Sequence, residues 1–426
     1  MIIKRTSELA KTKMRRDAVE IFEAGLNAVE TKAAVRRTVR REKNILSVGG
    51  KRYDLKKFDH LYVVGFGKAS LSAAEELEKI LGGRITSGIV LDTRKGKLKK
   101  IRSLVGSHPF PTEKNVRAAG EIVEILKKAD SKDLIVAIVS GGGSALLCRP
   151  YGLSCNDLSL VTKTLMRRGA DIYETNAVRK HLSEILGGQF ARLAYPAKIC
   201  ALIFSDVLGD DVSMVASGPT VLDKTTVKDA AAVLAKYDVI KACSLPGCDL
   251  RETPKDGIFF KNVQNALVVG NRAAVRAMEK AAERLGYEAV VLGEEVSGEA
   301  REVGRFFAMN ARPGTALIAG GETTVTVAGE GRGGRNQELA LGALGWIKPG
   351  VLVAACASDG VDNATPAAGA VVDELLLREI AAKKLNPNKY LADNDSYDFF
   401  KKAGTLLVTG KTGSNVADLM LALAEK

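Results

Sequence analysis

The chain reads as an α/β protein made of two α/β/α sandwich domains with mostly parallel sheets, and three observations carry that reading. At 426 residues with 46% hydrophobic content, it exceeds what one core usually supports and can fill two. Apolar runs of strand length alternate with amphipathic stretches of helical period along the whole chain, which is the grammar of βα units. Several of the apolar runs are continuous, as in strands covered by helices on both faces.

Element by element, Ala18, Ile21, Phe22, Ala24, Leu26 and Val29 recur among charges and predict a helix over about 14–41, followed by a turn at Gly49-Gly50. Strands are expected at 60–64, 87–91, 134–140 and 199–204, with helices over 70–81, 116–128 and within 158–186. The proline- and glycine-containing stretch 245–254 has the composition of a connection, dividing the chain into domains 1–248 and 255–426. Beyond it, strands are expected at 266–269, 316–319, 351–355 and 405–408.

A net charge of +13 raises the question of nucleic acid, but the basic residues are spread along the chain and aromatics make up only 5%, against binding by base stacking. The densest basic run, Arg36 to Lys43, suits a solvated helix end, with attraction of anionic substrates as a secondary effect. Six cysteines without C-x-x-C spacing and three scattered histidines supply no zinc set, so reduced thiols are expected. No apolar run approaches the roughly 20 residues that span a bilayer. The opening residues are charged, so the expectation is a cytoplasmic protein with no membrane and no nucleic-acid partner.

Ligands of open α/β sheets bind beyond the carboxyl ends of strands, so the residues after each apolar run are the candidates. Ser140, Gly141, Gly142, Gly143 and Ser144 follow the 134–140 run, where missing Cβ atoms let backbone N–H groups approach a phosphate or carboxylate; the alternative is a tight turn that binds nothing. Gly65-Phe-Gly-Lys68-Ala-Ser70, with Asp92 after the next strand, has the layout of a dinucleotide fingerprint, but Ser70 replaces its third small residue. Lys68 better suits a substrate carboxylate or phosphoryl group. Around 404–412 the spacing fails a P-loop. Arg335, Asn336 and Gln337 follow a glycine-rich loop and open a helical run, offering side-chain donors beside free backbone N–H groups; a helix cap is the alternative. His108, in Ser-His-Pro-Phe-Pro, reads as part of a turn, with lining a cleft as the alternative, and His181 as a packing residue.

Taken in order, Gly-Phe-Gly-Lys68-Ala, Ser140-Gly-Gly-Gly-Ser-Ala-Leu-Leu147, Asn176-Ala-Val-Arg179-Lys-His-Leu-Ser183, Ser205-Asp206-Val-Leu-Gly-Asp210 with Ala216-Ser-Gly-Pro219, Gly333-Gly-Arg335-Asn-Gln-Glu-Leu-Ala-Leu341 and Ser358-Asp359-Gly-Val-Asp362 resemble the glycerate 2-kinase family with a C-terminal MOFRL domain, over nearly the whole chain. The resemblance implies Rossmann-like sheets with an active-site cleft between two domains. It implies phosphorylation of D-glycerate on its 2-hydroxyl by ATP, with Mg2+ or another divalent cation, giving 2-phosphoglycerate. Lys68, Asp206 and Arg335 would be catalytic. Residues 140–144, Arg179, Asn336 and Gln337 would hold substrate or phosphate, and Asp359 with Asp362 the metal. Glycerate and ATP are the implied partners, with a homo-oligomer left open. Leu186, where a lysine is expected, and Pro366, where an aspartate is expected, depart from the pattern. Two rival readings are an NAD(P)H-dependent hydroxypyruvate reductase, on the glycine fingerprint and Asp92, and a non-catalytic anion- or nucleic-acid-binding protein, on charge alone.

Overall fold

Every residue of Asp133–Ser140 is buried, a pattern that a strand with one solvated face does not give. This strand is central to the first sheet of the computed structural model, which describes all residues except Met1, Arg5 and Pro246. The strands of this part are β1 Val39–Glu42, β2 Ile45–Val48, β3 Lys51–Asp54, β4 His60–Phe66, β5 Ser87–Asp92, β6 Ile101–Val105, β7 Asp133–Ser140, β8 Lys198–Phe204 and β9 Val263–Val269. The larger sheet has the order β6-β5-β4-β7-β8-β9, with parallel pairing from β6 through β8. Helices Ser70–Leu81 and Glu113–Lys128 cross between strands, each burying one apolar stripe. Each buried Val, Leu or Ile of such a layer contributes about 1.5–3 kcal/mol.

The helix predicted over 14–41 is two helices, Lys13–Ala28 and Thr31–Thr38, and residues beyond them turn into the small antiparallel sheet β1-β2-β3. Gly49 and Gly50 make its β2–β3 turn with φ of 52° and 84°, values that favour glycine.

In the second sheet, β10 Glu288–Val296, β11 Thr315–Gly321, β12 Val351–Ala357, β13 Gly369–Asp373, β14 Leu406–Leu407 and β15 Asp418–Ala424 take the order β10-β11-β15-β12-β13-β14. Only β10 and β11 are parallel; β15 lies antiparallel between β11 and β12, so this sheet is mixed rather than mostly parallel. The strand predicted at 405–408 shrinks to the two residues of β14. The loop after it leads into β15 and not into a helix, which removes the phosphate cradle of a P-loop.

The chain packs as two compact units, and their membership differs from the predicted split at 248/255. One unit comprises Met1–Ala33, Asp206–Asp210 and Val269–Lys426; the other comprises Ala34–Ser205 and Asp211–Val268. The amphipathic helix Lys13–Ala28 explains the difference, because it lies against helix Asn271–Arg284. A Cβ at Gly25 would come within 2.8 Å of Met278, so glycine permits the close approach. Arg15, 1% exposed, binds Asp373 bidentately at 2.7 and 2.6 Å. The predicted connection 245–254 is instead fastened within the other unit, Arg251 N–H donating to His181 O at 2.8 Å; its Pro246 lies outside the described residues.

Candidate active site

In the unit of residues 34–205 and 211–268, β4 and β7 end side by side and their exit loops are stitched together. Gly67 has φ of 109°, and a Cβ there would lie 2.2 Å from Ser140 Oγ and 2.4 Å from Ser140 O, so only glycine fits. Lys68 N–H donates to Gly141 O at 3.0 Å, and Ala69 N–H to Ser140 Oγ at 3.2 Å. Ser140 in turn donates to Phe66 O. Its buried hydroxyl is therefore committed to the backbone, and the predicted ligand role of that side chain gives way to a structural one. Gly141, Gly142 and Gly143 carry the chain from β7 into the short helix Gly143–Leu146, with Gly142 at φ 76°. Ser144 Oγ lies 2.8 Å from Ser217 Oγ, which donates to Asn176 Oδ1.

Lys68 is exposed, and Arg179 emerges half-buried from helix Ile172–His181. Burial pulls the Arg179 guanidinium below its ordinary value. Neither side chain has a carboxylate partner among the described residues. Arg179 shares the wall of a cavity of about 30 Å³ with Ser144, Phe110, Thr162 and the unexpected Leu186. Asp206 directly follows β8, half-buried, and packs with the other unit, unlike Ser205 before it.

In that other unit a cavity of about 610 Å³ is lined by Arg335, Asp359, Asp362, Asn394, Asn415 and Asp418. Arg335 opens helix Arg335–Leu344, and its Nε and Nη2 donate to Asp418 at 2.5 and 3.3 Å while Nη1 donates to Glu322. Burial pushes the Asp418 carboxyl up to about 6, against the opposing charge of Arg335. Glu322 stands among the residues after the 316–319 strand that the sequence marks for inspection, whereas Asp418 was not picked out from the sequence.

Asn336, Gln337 and Asp362 come together, but for a different purpose from the one predicted. Asp362 Oδ1 accepts from Asn336 N and Nδ2, both at 3.2 Å; Oδ2 accepts from Gln337 N and Nε2, both at 2.9 Å. A carboxylate 2% exposed and surrounded by four donors is an N-terminal cap supplied from a distant loop, and it leaves the metal role without a free oxygen. Asn336 and Gln337 spend side-chain N–H groups on that cap, Gln337 Nε2 donating also to Thr365 Oγ1 at 3.0 Å. Gly334 makes room for it, since a Cβ there would sit 2.3 Å from Asp362 Cγ. Asp359 is half-buried, with Oδ1 accepting from Val361 N at 3.0 Å, and keeps capacity toward the cavity. Among the described residues no group of three or more His, Cys, Asp or Glu could hold a metal. The donor set therefore does not fit a resident cation; it fits one that arrives coordinated by phosphates, for which one carboxylate and several waters suffice.

Three other sequence features resolve as structure. Asp92, the would-be ribose ligand, is buried and accepts from Leu71 N and Arg94 N, capping helix Ser70–Leu81. His181 is fully buried against Ala177 O and Glu252. The six cysteines form no disulfide.

Residues 17–246 match the family model described as a domain of unknown function, DUF4147, and residues 315–418 match the MOFRL family. The chain is 35% identical to the D-glycerate 2-kinase of Thermotoga maritima, over 96% of this chain and 98% of that protein. It is 41% identical to a protein of Agrobacterium vitis that carries the provisional name hydroxypyruvate reductase, over 85% and 86%. The crystal structure of glycerate kinase from Thermotoga maritima superposes with a TM-score of 0.85 at 34% identity, covering 96% of this chain and 99% of that one. With both glycine loops, the basic groups of one unit and the arginine-lined cavity of the other in place, the chain belongs to the glycerate kinase family that joins a DUF4147 segment to a MOFRL segment.

Proposed function

We propose that this chain is a D-glycerate 2-kinase, moving the terminal phosphoryl group of ATP to the 2-hydroxyl of D-glycerate to give 2-phosphoglycerate and ADP. The observation that carries the reading is the match to D-glycerate 2-kinase over 96% of the chain, which takes in both units. The 2-hydroxyl oxygen forms the new bond to phosphorus, the bond to the bridging oxygen breaks, and ADP leaves with its electron pair. Such transfer depends on positioning and charge stabilisation. Lys68 supplies unpaired positive charge beside the 141–144 loop, and Asp206 accepts the hydroxyl proton. Arg335 has three of its five N–H donors taken by Asp418 and Glu322, leaving two for a phosphate oxygen. Mg2+ enters as part of the nucleotide substrate, with Asp359 its protein ligand. The basic surface favours anionic substrates, and a cytoplasmic location fits a chain in which no described helix is long and apolar enough to cross a membrane.

The capping role of Asp92 removes the ribose ligand that a reductase reading needs. Incubation with D-glycerate, ATP, Mg2+ and enolase should yield phosphoenolpyruvate without a mutase. Phosphoenolpyruvate appearing only after mutase is added, or oxidation of NADH or NADPH by hydroxypyruvate in place of phosphoryl transfer, overturns the assignment.

A further inference from the structure

One member of the basic cluster has no part in the chemistry above. A Cβ at Gly142 would lie 2.9 Å from His108 Cδ2, 3.0 Å from His108 Nε2 and 3.3 Å from Lys68 Cε, so the loop backbone, the imidazole and the lysine stem converge. His108 has no hydrogen-bond partner among the described residues. The charges acting on it are those of Lys68 and Arg179, and neither is neutralised by a carboxylate among the described residues. Pro109 and Phe110, directly after His108, line the small cavity that Arg179 and Ser144 also line.

We propose that Lys68, Arg179 and His108 form the seat of the substrate carboxylate, with His108 a binding residue that recognises a small 2-hydroxy acid. The proposal rests on the kinase reading and names where the acid end of the substrate goes. Burial first, then the charges of Lys68 and Arg179, holds the imidazole down to about 4, so near neutral pH it keeps one N–H donor and one lone pair. Two cations and a neutral donor more than offset the single negative charge of a carboxylate. One carboxylate also leaves net positive charge in the cluster for the approaching phosphoryl group.

The test pairs imidazole NMR of the intact protein with kinetics. Placing a carboxylate beside the ring favours its charged form, so saturating D-glycerate should raise the His108 pKa by at least about one unit, the resonance being assigned through His108→Gln. Inorganic phosphate or a non-hydrolysable ATP analogue should move it less; an equal or larger shift with either makes the seat a phosphoryl site and overturns the proposal. His108→Gln should raise KM for glycerate at least about tenfold (about 1.4 kcal/mol) while kcat and KM for ATP stay within about threefold. His108→Asn guards against a folding artefact, both variants being accepted only with wild-type melting. Phosphorylation of glycerate by the wild type with neither readout moving sinks the carboxylate seat alone. A glycerate-induced shift in a protein that makes no phosphoglycerate sinks the kinase reading and leaves the seat standing.

Discussion

Arg335 grips Asp418 through contacts of 2.5 and 3.3 Å, and the carboxylate that orients the arginine is 1% exposed. With burial pushing Asp418 up to about 6, the carboxylate is lost as pH falls through that value, and the guanidinium loses its bidentate partner. The expected consequence is an acid limb in kcat near pH 6. Asp418→Asn should lower kcat at least about tenfold at pH 8 and flatten that limb, which pH–rate profiles of both proteins will check. The sign for stability is opposite to that of an ordinary salt-bridged carboxylate. The folded value lies above the unfolded one, roughly 3.9, so this group's contribution falls as pH rises across that window.

Asp359 and Asp362 should separate cleanly. Asp359→Asn is expected to raise the Mg2+ concentration for half-maximal rate about tenfold with an unchanged melting temperature. Asp362→Ala strands four donors and should cost at least about 2 kcal/mol, roughly 4–8 °C, while leaving the Mg2+ dependence within about twofold. A Mg2+ titration and a thermal melt of each variant decide the matter.

Lys68→Ala should lower kcat by about a hundredfold with little change in melting temperature, because the side chain is exposed and bears no carboxylate partner among the described residues. Ser140→Ala should show the reverse balance. It loses the hydroxyl that ties Ala69 N to Phe66 O, so about 1–3 kcal/mol of stability goes before the glycerate KM changes. Steady-state kinetics beside urea unfolding distinguishes the two patterns.

Arg15→Ala leaves Asp373 buried without its cation and should destabilise by about 3–5 kcal/mol. Hydrogen exchange should then rise in helix Asn271–Arg284 as well as in Lys13–Ala28, since the two pack together. Faster exchange confined to the first helix would mean that the N-terminal segment is only loosely attached.

The first sheet was legible because its inner strands are continuous apolar runs ending on glycine loops, a pattern set by burial on both faces. β15 was not, since Asp-Leu-Met-Leu-Ala-Leu-Ala consists mostly of good helix formers, and only its place between β11 and β12 makes it a strand. Asp418, its first residue, went unseen with it. Lys68 and the 141–144 loop stood out because glycine and lysine beyond a strand have a local meaning. Asp362, Asn336 and Gln337 looked like ligand groups because nothing local reveals that they face each other across 25 or 26 positions of sequence. His108 was masked by its prolines, which made a turn the simpler account.

The way residues 1–33 rejoin 269–426 also bears on how the polypeptide emerges from the ribosome. Helix Lys13–Ala28 is made well before its partner helix Asn271–Arg284 and β15, with a whole α/β unit synthesised between them. At about 5–20 residues per second the early helix waits on the order of tens of seconds with its apolar stripe uncovered. Completion of the intervening unit during that wait would bring residues 1–33 and 269–426 together only after the latter emerge, so nascent chains ending before residue 269 should hold one protease-resistant core and a digestible 1–33 segment.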